Sequence, residues 1–317
     1  MTPQLHAVAP EPEGFSTLDG QIIRTLLYFD IFRYPLTAQE IVLYLGERTG
    51  YLHTIENRLK VLCDRLLIFR FEELYSIHND SALAERRRAG NRMASEIMTK
   101  AGKRARLIQC FPFVRSVNIS GSLSKNYFDA LSDVDFFVIT TPGRLWLCRL
   151  FLTIFKKVCL LNSRKYFCIN YYIDTDNLRI PDENQFSATE IITLKNQTGA
   201  EWYNRFKEAN AWVQKYYPNH MPTPEIGADQ QPPALKRAVE CALQGKLGNL
   251  LDDAAFHGTM HFIKKKYRHL QEEEYAVSFR ARKEASKHHP NRFQFIVIEA
   301  LDQRCADYER THGIILR

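Results

Sequence analysis

The chain has 317 residues, 45% of them hydrophobic and 25% charged, with a formal net charge of +7. That length predicts about two domains of about 150 residues, or one with appendages, and the composition excludes wholesale disorder. Gly (14) and Pro (13) are too scarce for collagen-like or low-complexity classes. The mild positive excess permits a phosphate-bearing partner without demanding one, so where the charge sits matters more than its sum.

Seven cysteines, scattered from Cys63 to Cys305 without a CxxC pair, predict neither a disulfide framework nor a zinc ribbon. The N-terminus lacks a charged start followed by an apolar core, so no signal peptide is expected. The most apolar stretch, Leu145 to Leu161, is interrupted by Arg149, Lys156 and Lys157, which favours a buried helix over a membrane span. The expected compartment is a reducing cytoplasm, with no membrane partner.

Residues 1–16 read as a loose tail. From Leu18 the apolar spacing is helical, and Thr37 with Glu40 forms a capping box that opens a second helix through Leu45. A third helix carries Leu52, Ile55, Leu59, Leu62 and Leu66 at spacings of three and four. Leu67 to Ile77 then reads as two short strands around a tight turn. Three helices and a hairpin predict a winged helix over residues 17–80. Residues 1–80 hold seven Lys/Arg against eleven Asp/Glu, and the outward face of the third helix offers His53, Thr54, Glu56, Asn57, Lys60 and Asp64. Non-specific DNA affinity comes from neutralising phosphates, so an acidic reader argues against DNA and for a protein-docking or structural role.

The charge then reverses. Residues 81–110, expected as one long helix, carry Arg86, Arg87, Arg88, Arg92, Lys100, Lys103, Arg104 and Arg106 against Glu85 and Glu96. Such a run is ordinarily a solvated face; beside a phosphate site it would serve as a basic wall. The segment that follows has the makings of such a site. Val114 to Ile119 is a predicted strand, Gly121-Ser122 a break where backbone can approach a ligand, and a brief helix is predicted through Tyr127-Phe128. The first amides of that helix, with the Ser122 hydroxyl, would point at an anion. Asp133 to Ile139 is a second predicted strand, on which Asp133 and Asp135 project to one side. Two adjacent carboxylates repel unless a cation or proton intervenes, and Mg²⁺ with substrate phosphates suits them.

Gly121-Ser122 followed, one short helix later, by Ser132-Asp133-Val134-Asp135 resembles the signature of the DNA polymerase β-like nucleotidyltransferase superfamily, in the form of its small bacterial minimal and antibiotic-modifying members. The likeness covers residues 114–140 directly, and 81–175 when the surrounding helix and strand order is counted. It implies an α+β fold, with a nucleotidyltransferase core at 81–195 between the winged helix and a helical C-terminal domain at 196–317. It also implies transfer of a nucleotidyl group from an NTP to an acceptor hydroxyl, with release of pyrophosphate. Asp133 and Asp135 would hold Mg²⁺, or Mn²⁺ in its place; Gly121 and Ser122 would grip the β- and γ-phosphates, and Lys125 would reach phosphate.

Members of this superfamily place a third carboxylate early on the strand after the intervening helix. Here that strand is Lys165 to Asp174, and the position holds Asn170. Asp174 lies on the same face but roughly 13 Å further along. Asn170 as a neutral ligand, Asp174 recruited by a bulge, and lost chemistry are the three readings; Asn170 at the position is preferred, which leaves a nucleotide-binding sensor or partner-binding module as the alternative to an enzyme. The acceptor is open among a small molecule, a protein side chain, RNA and another nucleotide. In the remainder, Trp202, Tyr203, Phe206, Trp212, Tyr216 and Tyr217 read as core packing, 218–233 as a linker, and Leu235 to Leu251 as one helix. Lys264 to Lys266, Arg268, Arg280, Arg282, Lys283 and Lys287, offset by Glu272 to Glu274, read as a solvated helix pair. His257 and His261 lack the Glu of a zinc-hydrolase motif.

Overall fold

Ser16 starts the described fold. Its hydroxyl accepts from the Asp19 amide while the Asp19 carboxylate accepts from the Ser16 amide, so two orphan donors of helix α1 (Thr17–Asp30) are satisfied. A computed structural model describes residues 15–48, 51–161, 165–226, 231–266, 281–287 and 293–316. Phe15 and Ser16, expected in a tail, are therefore part of the fold: Phe15 is buried against it.

A two-residue strand β1 (Leu36–Thr37) leads into α2 (Ala38–Tyr44), opened by the Thr37/Glu40 capping box. Helix α3 (Leu52–Asp64) buries Ile55, Leu59 and Leu62, and β2 (Phe69–Phe71) and β3 (Leu74–Ser76) form a hairpin. The three strands make an antiparallel sheet ordered β1-β3-β2. Helix α4 (Ser81–Gln109) follows, about 43 Å long at 1.5 Å per residue. Its buried face is Leu83, Ala84, Gly90, Ala94, Ile97, Ala101, Ala105 and Ile108; the small residues let it lie close to the central sheet.

That sheet has six strands in the order β7-β4-β5-β6-β9-β8: β4 (Val114–Ser120), β5 (Asp135–Thr140), β6 (Cys168–Asp174), β7 (Lys195–Thr198), β8 (Ala281–Arg282) and β9 (Ala285–Lys287). Among the described residues only β5 and β6 pair in parallel, and a parallel pair needs a crossover. Helix α6 (Leu145–Cys159) supplies it, burying Leu145, Trp146, Leu147, Cys148 and Leu152. The protein is thus α+β. Helices α7 (Gln185–Thr193) and α8 (Ala200–Ala209), with a 3₁₀ turn at Ala211–Lys215, cover one side. Tyr203, Phe206, Trp212 and Tyr217 are buried there in the core.

Three expectations change. The short helix α5 (Gly121–Ser124) stops before Tyr127, because Asn126 takes a left-handed conformation (φ +60°) that no α-helix continues through. The helix expected from Leu235 to Leu251 is two, α9 (Ala234–Ala242) and α10 (Lys246–Lys266): buried Arg144 takes the carbonyls of Leu243, Gln244 and Gly245, which a continuous helix would have kept. And the chain after residue 195 is not helical throughout, since β7, β8 and β9 extend the central sheet. Helix α11 (Phe293–His312) returns to pack on α1 and α7, burying Val297, Leu301, Cys305 and Tyr308. Arg268, Glu272 to Glu274 and Arg280 lie outside the described residues.

Candidate functional site

The register of the central sheet gathers one set of chain ends. Ser120, the last residue of β4, faces Asp135, the first of β5; Asp135 faces Cys168, the first of β6; and Lys195, the first of β7, faces Ile119. Gly121 and Ser122, Asp133 and Asp135, Asn170 and the foot of β7 therefore meet at a single edge. Strand β5 proper begins at Asp135, two residues later than expected. Residues 133–134 still run alongside the neighbouring chain, with the Val134 amide donating to the Lys165 carbonyl at 2.9 Å and the Cys168 amide to the Val134 carbonyl at 3.1 Å.

Gly121 is required here twice over. Its φ is +66°, which L side chains rarely adopt, and a Cβ on it would collide with the Asp135 carboxylate. The Gly-Ser turn and the second aspartate are thus in direct contact. Ser122 stands in the first turn of α5; with only four residues that helix makes no anion site by itself. The Gly121 carbonyl accepts from the Ser124 hydroxyl at 2.8 Å and from Lys125 Nζ at 3.2 Å.

Asp135 is crowded. Burial, and then the Asp133 carboxylate beside it, push its carboxyl up to about 7, with Glu190 adding to the rise and Cys168 and Lys125 opposing it. Asn170 Nδ2 donates to Asp135 Oδ1 at 2.5 Å, and the Cys168 thiol donates to Asn170 Oδ1 at 3.1 Å. The β5–β6 register slips between Phe136 and Phe137, which leaves Asn170 as the extra residue of a bulge; bulges re-aim a side chain in this way. Burial, ahead of the nearby Asp135 charge, lifts the Cys168 thiol to about 12, so it stays protonated.

The bulge does not recruit Asp174. That residue ends β6 opposite Thr140, at the far end of the sheet, and its carboxylate accepts from the Asp176 and Asn177 amides and from Asn177 Nδ2. It closes its own turn. Lys125 is engaged as well: Nζ lies 2.7 Å from Glu190 Oε1. Lys195, half-buried at the foot of β7, donates to the Asn126 side-chain oxygen. Neither Glu190 nor Lys195 stands in a motif, and no spacing in the sequence singles them out.

Three residues of the basic run, Arg86, Arg87 and Arg88, make contacts with the N-terminal residues. Arg87, buried, reaches Glu40 and the Pro35 carbonyl and lies over the Tyr34 ring; Arg88 pairs with Glu72 and Glu73; Arg86 donates to the Phe32 and Arg33 carbonyls and pairs with Asp129. Glu40, Glu72 and Glu73 of the acidic N-terminal residues are thus counter-charges of Arg87 and Arg88 at the start of α4.

Among the described residues no group of three or more His, Cys, Asp or Glu is placed to hold a metal ion, and no helix is long and apolar enough to cross a membrane. The donor set that is present, two crowded carboxylates with an amide bonded to one of them, suits a single hard cation with open positions for water and phosphate oxygen. No family model, curated protein or solved structure matches this chain.

Proposed function

We propose that this protein is a cytoplasmic, Mg²⁺-dependent nucleotidyltransferase-type protein that binds an NTP at the Gly121/Asp135 edge of its central sheet and passes the nucleotidyl group to an acceptor hydroxyl. One observation carries the reading: the Gly-Ser turn touches an aspartate that burial and a second aspartate hold near a pKa of 7. An acid kept in that position against a second carboxylate calls for a cation. Asp133 and Asp135 would hold Mg²⁺, or Mn²⁺, and the bound metal would supply charge neutralisation for the triphosphate. Gly121 lets the backbone approach the phosphates, Ser122 offers a hydroxyl, Lys125 a cation close to the same turn, and Asn170 fixes the orientation of Asp135.

The winged-helix reading of residues 17–80 is supported by the order helix, strand, helix, helix, hairpin and by the β1-β3-β2 sheet. Its acidity and its arginine contacts with α4 favour a protein partner, or a purely structural role, over DNA. A second reading has its own observation. Asn170 occupies the place where a third carboxylate would stand and is already bonded to Asp135, which favours a nucleotide-binding sensor without turnover.

The test is calorimetric titration of the full chain with each NTP in Mg²⁺, repeated with Asp133→Ala and Asp135→Ala. Binding should depend on Mg²⁺ and weaken at least tenfold in both variants; unchanged binding in both sinks the metal assignment. Pyrophosphate release over the same nucleotides separates the two readings, since binding without release is the sensor.

A further inference from the structure

The acid missing from β6 has a counterpart elsewhere at the same edge. Glu190 lies on α7, whose end runs through Leu194 into β7, so the helix comes down where Lys195 pairs with Ile119 and β4 gives way to Gly121. Its Oε1 is 2.7 Å from Lys125 Nζ, and the same Nζ is 3.2 Å from the Gly121 carbonyl. Gly121 in turn abuts Asp135, whose carboxyl feels the Glu190 charge. Glu190, Lys125, Gly121 and Asp135 thus form one contiguous chain of contacts. The Glu190 side chain keeps 32% of its exposure, enough for a substrate hydroxyl to reach it. Among the described residues it does not join Asp133 and Asp135 in a three-acid metal cluster, so its place is beside the cation site and not within it.

We infer that Glu190 is the third acidic group of this site, delivered by α7 in place of β6, and that it serves as the general base for the acceptor hydroxyl. The inference rests on the nucleotidyl-transfer reading above. In the nucleotide-free protein Lys125 neutralises Glu190. A triphosphate arriving at the Gly121-Ser122 turn presents Lys125 with a stronger anion, and the Glu190 carboxylate is released. It then accepts the proton of the acceptor O–H as that oxygen bonds to the α-phosphorus. The bond from that phosphorus to the bridging oxygen breaks, and pyrophosphate leaves with the electron pair. Proton, nucleophile and leaving group balance with no further reactant. A helix-borne glutamate in this role also explains why Asn170 is tolerated on β6: orienting Asp135 needs only an amide.

The experiment uses the full chain with Mg²⁺ and each NTP, with water and molar glycerol as hydroxyl probes, and reads nucleotide affinity and pyrophosphate release separately. Glu190→Gln is expected to change affinity by less than about threefold and to lower the release rate by roughly 10²–10⁴-fold, the usual worth of a general base. Glu190→Asp should restore part of the rate. Equal losses of affinity and rate in Glu190→Gln would mean that the residue only positions Lys125, and would overturn the base assignment. So would a rate that is unchanged. A wild type that binds nucleotide in Mg²⁺ yet releases no pyrophosphate overturns this inference while leaving the nucleotide site standing; a wild type that binds no nucleotide removes both.

Discussion

Asp135 and Asp174 stand at opposite ends of the same parallel pair of strands, and burial is the leading cause that raises both carboxyls. Their surroundings differ. Asp174 accepts three hydrogen bonds from Asp176 and Asn177 in the turn beyond its strand, so it finishes β6 and holds that turn. Asp135 has one amide donor, a second aspartate beside it, and a neighbour that must be glycine to make room. The first acid is satisfied by local structure and stabilises it. The second is tolerated by the fold, and crowded acids of that kind mark functional sites. Removing one should therefore cost stability, and removing the other should add it.

Gly121→Ala gives the largest effect. The φ of +66° costs about 1–3 kcal/mol for a residue with a Cβ, and the collision with Asp135 adds to it. Nucleotide binding should be abolished. In a double-mutant cycle by urea unfolding, Asp135→Ala should recover the collision part and leave the φ part; strictly additive losses would show that the two residues are not in contact. Asp174→Ala comes next. It strands the Asp176 and Asn177 amides, costing on the order of 1–3 kcal/mol, and should leave Mg²⁺ and nucleotide binding unaltered. A matching loss of binding would mean that the two ends of the sheet do not differ in role.

Asp135→Asn has the opposite sign. The folded carboxyl keeps its proton up to about pH 7, whereas the unfolded one releases it near 4. Between those values the folded state binds more protons, so wild-type stability falls as pH rises through that window and levels off above about 7. Asp135→Asn should remove most of that fall and unfold at a higher temperature than wild type at pH 8. Mg²⁺ should raise the wild-type unfolding temperature at pH 8 and leave that of the variant unchanged. Parallel pH profiles for the two proteins would contradict the crowding of Asp135.

The proximity of Gly121 to Asp135 was legible in the sequence because it is local: a strand, a tight turn and a returning strand within 114–140 leave few ways to pair. The capping box at Thr37 and the apolar stripe of α3 were fixed just as locally, since three-residue and four-residue spacings map directly onto helix faces. Asn170 was identifiable as the departure, but not the bulge that aims it at Asp135, which is a property of two strands together.

What the sequence could not decide was which charges meet. Arg87 and Arg88 read as part of a wall for phosphate because a single strand of text shows only their basicity; their partners, Glu40, Glu72 and Glu73, lie earlier in the chain and come opposite them only when α4 packs on the N-terminal helices and hairpin. Glu190 was invisible for the same reason. It sits 65 residues from Lys125, in a helix whose pattern reports burial alone, and only the pairing of β7 with β4 brings the two side chains together. Local periodicity and turn chemistry determined the elements and the Gly-Ser/Asp-x-Asp pair; long-range strand pairing decided the partners of the charges, because ion pairs between distant residues leave no repeat for a sequence to display.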